Sequence, residues 1–191
     1  IHHRVKNNLQ TVSALLRLQS RRSSEDAVKV ALAEAERRVQ AIATVHAALS
    51  QNVDESVDFD EVARTIVRMA GAIASTDHGV EVITTGNFGT ISADQAQALA
   101  TVLNELVANS VEHGLADRDG CIEVCAQREG LSMTVTVADD GVGFVPGTPM
   151  TGLGTQIVHQ MVRGELRGSI EWAPREGGGT LVTLLINLDA A

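Results

Sequence analysis

Residues 133–143 read Met-Thr-Val-Thr-Val-Ala-Asp-Asp-Gly-Val-Gly, an alternating run that ends in two acids and two spaced glycines. The alternation predicts a β-strand with one face on a core. At its end, the carboxylate of Asp139 can accept a hydrogen bond from an exocyclic amine, and Gly141 and Gly143 let the backbone approach a flat ring. Taken alone, this motif is more often an ordinary turn.

A helix predicted upstream, from Ala93 to about His113, begins with a capping box at residues 92–95. At 100° per residue, Glu105, Asn109 and His113 form a polar stripe along the edge of its buried face. The amide oxygen of Asn109 is a hard ligand suited to Mg²⁺, and a carboxylate four residues away can orient or deprotonate a nucleophile. For this stripe alone, a solvated helix flank is the favoured interpretation.

Two glycine-rich segments follow. Gly152, Leu153 and Gly154 open a predicted helix whose free N–H groups and positive dipole end can hold phosphate oxygens. Residues 177–179 are three glycines that lead into a strand at Thr180, whose hydroxyl could complete a base pocket. Each segment also has a purely structural explanation, as a flexible helix start and as a hairpin turn.

The first 49 residues predict an antiparallel helical hairpin. One helix extends to about Gln19, a polar break follows at residues 21–24, and the second helix ends at Leu49. Each helix carries an apolar stripe at three- and four-residue steps, which is typical of a coiled coil or bundle. Because two helices alone bury little surface, we expect a homodimer that forms a four-helix bundle.

The opening run at residues 1–10, Ile-His-His-Arg-Val-Lys-Asn-Asn-Leu-Gln, places His3 nearly opposite the apolar stripe. We expect His3 to face water or a partner, whereas His2 leans toward the seam and is better placed for packing. Counted back from the turn at about 1.5 Å per residue, His46 returns to the level of His3. His46 is then either a neighbour of a reactive site or an ordinary packing or surface histidine.

Charge divides the chain into two parts. Residues 1–50 carry eight Lys and Arg against four Asp and Glu, so residues 51–191 carry −13 within a formal total of −9. An acidic body with one Trp, three Phe and no Tyr lacks the basic groove and the stacking rings of nucleic-acid-binding proteins. We therefore expect no direct contact with DNA or RNA, and we expect the basic hairpin to attract acidic protein surfaces.

No apolar run approaches the roughly 20 residues that cross a bilayer, and the start has no signal-peptide layout. We expect a cytoplasmic segment without a membrane span. The start at Ile1, inside a helical pattern, indicates a fragment that lacks an upstream input region. Cys121 and Cys125 share one face of a predicted strand, roughly 13 Å apart and too distant for a disulfide, so we expect them to be buried strand fillers.

The four motifs occur in the order Asn helix, Asp-Gly-x-Gly, Gly-x-Gly helix and Gly-Gly-Thr strand, which rarely arises by chance. This order resembles the N, G1, G2 and G3 boxes of the Bergerat (GHKL) ATP-binding fold of histidine kinases, gyrase, heat-shock protein 90 and mismatch-repair ATPases. Residues 3–10 and the Val45-His46-x-x-Leu49 tail resemble the HisKA_2 dimerisation and phosphoacceptor domain of HWE-like histidine kinases. The resemblance covers nearly the whole chain.

The resemblance implies an α+β fold, in which a dimeric helical hairpin over residues 1–52 precedes an α/β-sandwich ATP-binding domain over residues 56–191. It implies that His3 is the phosphoacceptor and Glu105 the N-box acid. It further implies that Asn109 binds Mg²⁺ and that Asp139 binds adenine. The residues expected to bind the nucleotide are Asn109, His113, Asp139, Gly141, Gly143, Gly152, Leu153, Gly154 and Thr180.

Two departures from the common sensor-kinase pattern matter. Many histidine kinases follow the phosphoacceptor with an acid that acts as a base, whereas Arg4 stands here. The acid that polarises His3 must then come from elsewhere, and Glu105 on the approaching ATP domain is the candidate. The stretch between Gly143 and Gly152 is short, which predicts a small ATP lid.

The implied function is that of a two-component sensor histidine kinase core, which autophosphorylates from ATP with Mg²⁺ and passes the phosphoryl group to an aspartate of a response regulator receiver domain. Three alternatives stay open. They are a Bergerat-fold ATPase or anti-sigma-type serine kinase, an inactive dimeric signalling module, and a plain coiled-coil scaffold. The scaffold leaves the four ordered boxes unexplained.

Overall fold

The computed structural model describes residues 2–49, 56–74, 79–116, 118–143, 145, 147 and 152–189, but not the side chains of residues 2–7, 44–49, 71–74 and 153. The described part contains a helical hairpin followed by a mixed α/β unit. Its helices are α1 (His2–Arg22), α2 (Asp26–Leu49), α3 (Phe59–Ala74), α4 (Ala93–Asn109) and α5 (Leu153–Arg163). Its strands are β1 (Ser56–Asp58), β2 (Val80–Gly86), β3 (Thr90–Ser92), β4 (Gly120–Glu129), β5 (Ser132–Asp139), β6 (Ser169–Pro174) and β7 (Thr180–Asn187).

Helices α1 and α2 form the predicted antiparallel hairpin. The turn is tighter than predicted, because α1 continues through Arg22 and only residues 23–25 separate the helices. Ser23 ends α1 by donating its N–H to the carbonyl of Gln19 at 3.0 Å. Ser13 of α1 donates its hydroxyl to Glu36 of α2 at 3.2 Å, so these two positions share one level of the hairpin.

A five-stranded sheet in the order β2-β4-β5-β7-β6 forms the second part. Strands β2 and β4 are parallel, and the other neighbours are antiparallel. Helices α3, α4 and α5 cover one face, toward which β4 points Ile122, Val124 and Ala126. The expected α+β fold is therefore confirmed. The short antiparallel pair β1–β3 was not predicted, because three-residue strands carry too little alternation to be recognised.

The cysteines lie on the other face of the sheet, and their predicted role as buried fillers is wrong. Cys121 and Cys125 alternate with the buried residues of β4, so their side chains point away from the core. Both are half-buried free thiols. Partial burial raises the pKa of the Cys121 thiol, and the negative charge of the nearby Glu123 carboxylate raises it further. Both thiols are separate, as the strand spacing predicted.

Helix α4 begins at the predicted cap, but its capping box is only half formed. Ser92 accepts a hydrogen bond from the N–H of Gln95 at 3.4 Å. The Gln95 side chain does not return to the cap. It donates instead to the carbonyl of Asn187 at 2.8 Å and accepts from the N–H of Asp189 at 3.1 Å. Gln95 thus ties the start of α4 to the end of β7.

At its other end, α4 continues into a π-helical turn over Ser110–Gly114. The N–H of Leu115 closes this turn by donating to the carbonyl of Ser110 at 2.9 Å. π-Helical turns are uncommon and occur frequently at functional sites. Across the described residues, no helix is both long enough and apolar enough to span a membrane.

The Gln95→Ala substitution is expected to lower the free energy of unfolding by about 1 kcal/mol, because it removes two part-buried hydrogen bonds, to the carbonyl of Asn187 and from the N–H of Asp189. Urea unfolding followed by circular dichroism measures the change. The matched control is Gln97→Ala, whose exposed side chain lies two residues along the same helix. Equal unfolding midpoints for the two variants would contradict the structural role of Gln95.

Candidate functional site

Asp139 is the centre of the candidate site. Its side chain is 2% exposed at the end of β5. Its Oδ1 accepts the N–H of Gly141 at 3.0 Å and the N–H of Thr180 at 3.2 Å. In the described part of the chain no donor is bonded to Oδ2. One oxygen therefore holds two backbone segments together, while the other can accept a hydrogen bond from a ligand.

Glycines allow three backbone segments to converge around Asp139. A Cβ on Gly141 would lie 2.2 Å from the carbonyl oxygen of Gly114, and the same oxygen accepts the N–H of Val142 at 3.0 Å. Gly179 has a φ of +96°, and its Cβ would lie 1.9 Å from the carbonyl oxygen of Asp139. Any side chain at these two glycines would push the segments apart. The three segments thus meet through their backbones.

The first turn of α5 forms the second part of the site. Gly152 precedes the helix in an extended conformation and places no side chain on the free N–H groups of the first turn. Such N–H groups, with the positive end of the helix dipole, form a ready anion site. The side chain of Leu153 lies outside the described residues. A Cβ on Gly154 would lie 2.4 Å from Oε2 of Glu105, so this glycine lets α5 approach α4 closely.

Glu105 does not stand free in the site. The Arg38 guanidinium of α2 binds both of its oxygens, with Nε to Oε1 at 2.7 Å and a terminal nitrogen to Oε2 at 3.0 Å. The two side chains are 15% and 6% exposed. The hydrogen bond to Glu105 raises the pKa of Arg38, against the opposing effect of burial. A bidentate arginine–carboxylate pair of this kind is among the stronger polar contacts in proteins.

A second ion pair joins the same elements. Arg37, the neighbour of Arg38 on α2, binds Glu112 in the π-helical turn at 2.9 Å. Sequence reasoning missed both arginines, because a pair of basic residues in a bundle helix usually indicates a solvated face. The apolar stripe of α2 passes both positions without a break, from Ala35 to Val39, so no local pattern indicated the two arginines or the acids that they bind.

The predicted polar stripe on α4 runs from the interior to the surface. Glu105 is buried, Asn109 is half-buried as the last residue of α4, and His113 is exposed. Glu105 contacts the first turn of α5, while Gly114 contacts the Asp139 loop. Asn109 and His113 therefore lie on the helical segment that connects the first turn of α5 to the loop after Asp139.

Four of the predicted binding residues come together around one point. Gly141 and Thr180 bond to Asp139 directly, and a Cβ on Gly143 would lie 3.1 Å from the carbonyl oxygen of Gly179. Gly143 has a φ of +80°, a conformation that side chains rarely adopt. The predicted short lid falls mostly on residues 144, 146 and 148–151, which lie outside the described residues.

Glu105 and position 3 of α1 lie at different levels of the hairpin. Glu105 is held by Arg38, close to the level of Ser13 in the hairpin register. Because Arg38 lies two residues beyond Glu36, it is level with about position 11 of α1, and position 3 lies eight residues farther along, which corresponds to roughly 12 Å of helix. The side chains of His2, His3 and His46 lie outside the described residues, so the predicted roles of all three stay predictions.

Two protein families match the chain. The family described as Histidine kinase (HisKA_2) matches residues 1–73. The family described as Histidine kinase-, DNA gyrase B-, and HSP90-like ATPase (HATPase_c) matches residues 94–190. The second match covers about half of the chain and includes all the glycines described above.

Two curated relatives are similar over almost the whole chain. Sensor histidine kinase PdtaS of Mycolicibacterium smegmatis is 44% identical over 191 residues, which cover 97% of this chain and 38% of the relative. Blue-light-activated histidine kinase 2 of Erythrobacter litoralis is 28% identical, over 98% of this chain and 56% of the relative. The chain thus spans between about a third and just over half of the length of these relatives.

Solved structures share the fold. The histidine kinase domain of the Erythrobacter litoralis EL346 blue-light activated histidine kinase superimposes with a TM-score of 0.74 at 20% identity, over 98% of this chain and 94% of that one. The mycobacterial sensor histidine kinase MprB gives a TM-score of 0.54 at 20% identity, over 73% of this chain and 100% of that one. Fold, family matches and relatives agree: the chain belongs to the sensor histidine kinases, and it joins a HisKA_2 segment to an ATPase domain of the histidine kinase, DNA gyrase B and HSP90 family.

Proposed function

We propose that this chain is the transmitter core of a two-component system, which phosphorylates His3 from ATP and then passes the phosphoryl group to an aspartate of a response regulator. The observation that carries the proposal is the buried carboxylate of Asp139, where glycine backbones converge and where one oxygen has no donor among the described residues, in the same chain as a hairpin that resembles a phosphoacceptor domain. The division at residues 1–52 and 56–191 belongs to the proposal. So does a cytoplasmic location, where ATP is supplied.

The nucleotide would lie along the segment between Gly114 and Glu105. Its adenine amine would donate to Oδ2 of Asp139, and its phosphates would accept from the free N–H groups that follow Gly152. The half-buried amide of Asn109, between the two ends, fits a Mg²⁺ ion that arrives with the phosphates, because Mg²⁺ takes few protein ligands at phosphate sites. When bound, the ion neutralises charge on the phosphates.

The chemical step is an in-line displacement. A nitrogen of the neutral His3 imidazole attacks the γ-phosphorus, the bond to the β–γ bridging oxygen breaks, and ADP leaves. The imidazole proton that the new bond makes acidic passes to a base, for which Glu105 is the candidate. The resulting phosphoramidate then gives its phosphoryl group to a receiver carboxylate. Neutral imidazole is available because histidine titrates near neutrality.

Incubation with Mg²⁺ and γ-labelled ATP tests the phosphoacceptor. The wild-type protein and His2→Ala are expected to take up acid-labile label, and His3→Ala is expected to take up none, since only His3 is placed as the nucleophile. Label that persists in His3→Ala would contradict the assignment. Acid-stable label on a partner serine would instead indicate the serine kinase alternative.

Asp139→Asn tests the base pocket. The amide oxygen can still accept from Gly141 and Thr180, but an amide NH₂ replaces Oδ2 and repels the adenine amine. We expect ATP affinity to fall by roughly ten- to a hundredfold, which corresponds to about 1.4–3 kcal/mol. Titration with a fluorescent ATP analogue measures the change.

The matched control for the base pocket is Asp140→Asn. Oδ1 of Asp140 accepts the N–H of Cys121 at 2.8 Å, outside the proposed adenine contact. This variant should bind the analogue as the wild type does. Equal affinities for Asp139→Asn and Asp140→Asn would remove Asp139 from the proposed role.

A homodimer through the hairpin is part of the proposal. Large apolar side chains of α1 and α2 are exposed although both helices pack on each other, and Leu15 and Val30 are 55% and 56% exposed. The exposed residues of α1 lie three apart along one side of the helix, which suits a second copy. These residues are Val12, Leu15, Leu18, Val28 and Val30.

Leu15→Glu and Leu18→Glu are expected to convert the dimer to a monomer, because each places a charge in the apolar contact. Sedimentation velocity measures the shift. Gln10→Glu adds the same charge at an exposed position on the polar side of α1 and should leave the dimer intact. An unchanged dimer in both leucine variants would place the interface elsewhere.

A further inference from the structure

Among the described residues, two ion pairs join α2 of the hairpin to α4 and its π-helical extension. Arg37 and Arg38 are adjacent on α2, while Glu105 and Glu112 lie seven residues apart, two turns along one face of α4 and its π-helical extension. Within the described residues, each bond is 2.7–3.0 Å long. Movement of the domain along the hairpin would have to break both pairs.

The Arg38–Glu105 pair also contacts the proposed phosphate site. The Cβ position of Gly154, in the first turn of α5, is 2.4 Å from Oε2 of Glu105 and 3.6 Å from a terminal nitrogen of Arg38. Arg38 makes a further, longer ion pair with Glu34 of its own helix at 3.4 Å. The Arg38 guanidinium therefore binds the carboxylates of Glu34 and Glu105 beside the first turn of α5, which would hold the nucleotide phosphates.

The position of Glu105 is incompatible with its proposed action on His3 in the same arrangement. Both oxygens of the carboxylate are bound by Arg38, which lies level with about position 11 of α1, and position 3 is roughly 12 Å farther along that helix.

We propose that Arg38 is a positioning residue that holds Glu105 and the first turn of α5 in a resting arrangement, and that the Arg38–Glu105 pair must open before Glu105 can act at His3. This inference rests on the proposed function. The hairpin then has a third role beside phosphate acceptance and dimer contact, because Arg38 of α2 sets the position of the ATP-binding domain.

The rate of His3 phosphorylation at saturating ATP provides the first test. Arg38→Gln removes the charge and is expected to raise this rate by roughly fivefold or more, a typical coupling between two sites. The KM for ATP should change less than twofold. Arg38→Lys retains the charge but cannot bind both oxygens, so its rate should fall between those of the wild type and Arg38→Gln.

The control variant is Arg17→Gln. Arg17 pairs with Glu36 within the hairpin, so its loss removes an ion pair and one positive charge without touching the ATP-binding domain. Its rate should equal that of the wild type. An unchanged or lower rate in a folded Arg38→Gln protein, with its unfolding midpoint checked in urea, would overturn the proposal.

A distance measurement makes the test independent of kinase activity. Spin labels at Arg21→Cys on the hairpin and Glu129→Cys on the sheet, both exposed positions, report the domain arrangement once Cys121 and Cys125 are replaced by serine. Arg38→Gln should shift or broaden the distance distribution. The charge exchange, Arg38→Glu with Glu105→Arg, should restore it by rebuilding the pair in reverse, although the carboxylate at position 105 is gone.

The two readouts separate the two proposals. If the wild type never labels His3 but the distance shifts in Arg38→Gln and returns in the charge exchange, the kinase proposal fails and the positioning role of Arg38 is supported. A distance distribution that Arg38→Gln leaves unchanged overturns the positioning role, whatever the labelling shows.

Discussion

The carboxylate of Asp139 is the constraint on which the rest of the ATP-binding domain depends. Its Oδ1 joins the loop after β5 to the start of β7. Because it is buried, the neighbouring segments contact it through glycines, which have no side chain to push them apart. The carbonyl of Gly114 bonds to the Asp139 loop, so the end of α4 is fixed by the same cluster. Loss of this carboxylate would leave the N–H groups of Gly141 and Thr180 without an acceptor, which gives the residue a structural role beside its proposed binding role.

Much of this organisation could be predicted from local sequence. The alternation of residues 133–138 gave β5, and the cap at Ser92 gave the start of α4, because both patterns report interactions between near neighbours in the chain. The fold class and the family followed from the order of the glycine and acid motifs, and both are confirmed. The cysteines were assigned to the wrong face, since strand periodicity shows which residues share a face but not which face is buried.

The contacts that could not be predicted are those between distant residues. Gln95 was expected to complete its own cap, but it bonds to residues 187 and 189, more than ninety positions away. Arg38 similarly binds Glu105 across 67 positions. An arginine can bind any acid, and a glutamine can bond to any carbonyl or N–H. Only the tertiary packing decides which of these partners each side chain meets. The residues of the candidate site could therefore be proposed from the sequence, but the ion pair between Glu105 and Arg38 could not.

The π-helical turn at Ser110–Gly114 makes the number of residues at the end of α4 as important for the position of Gly114 as the identity of those residues. Its closing bond spans five residues, so the chain carries one residue more per turn there than an α-helix would. Deletion of a single residue would rotate Gly114 by roughly 100° about the helix axis and turn its carbonyl away from Gly141. Insertions and deletions in this short stretch should consequently be far rarer among functional variants than substitutions at its exposed positions.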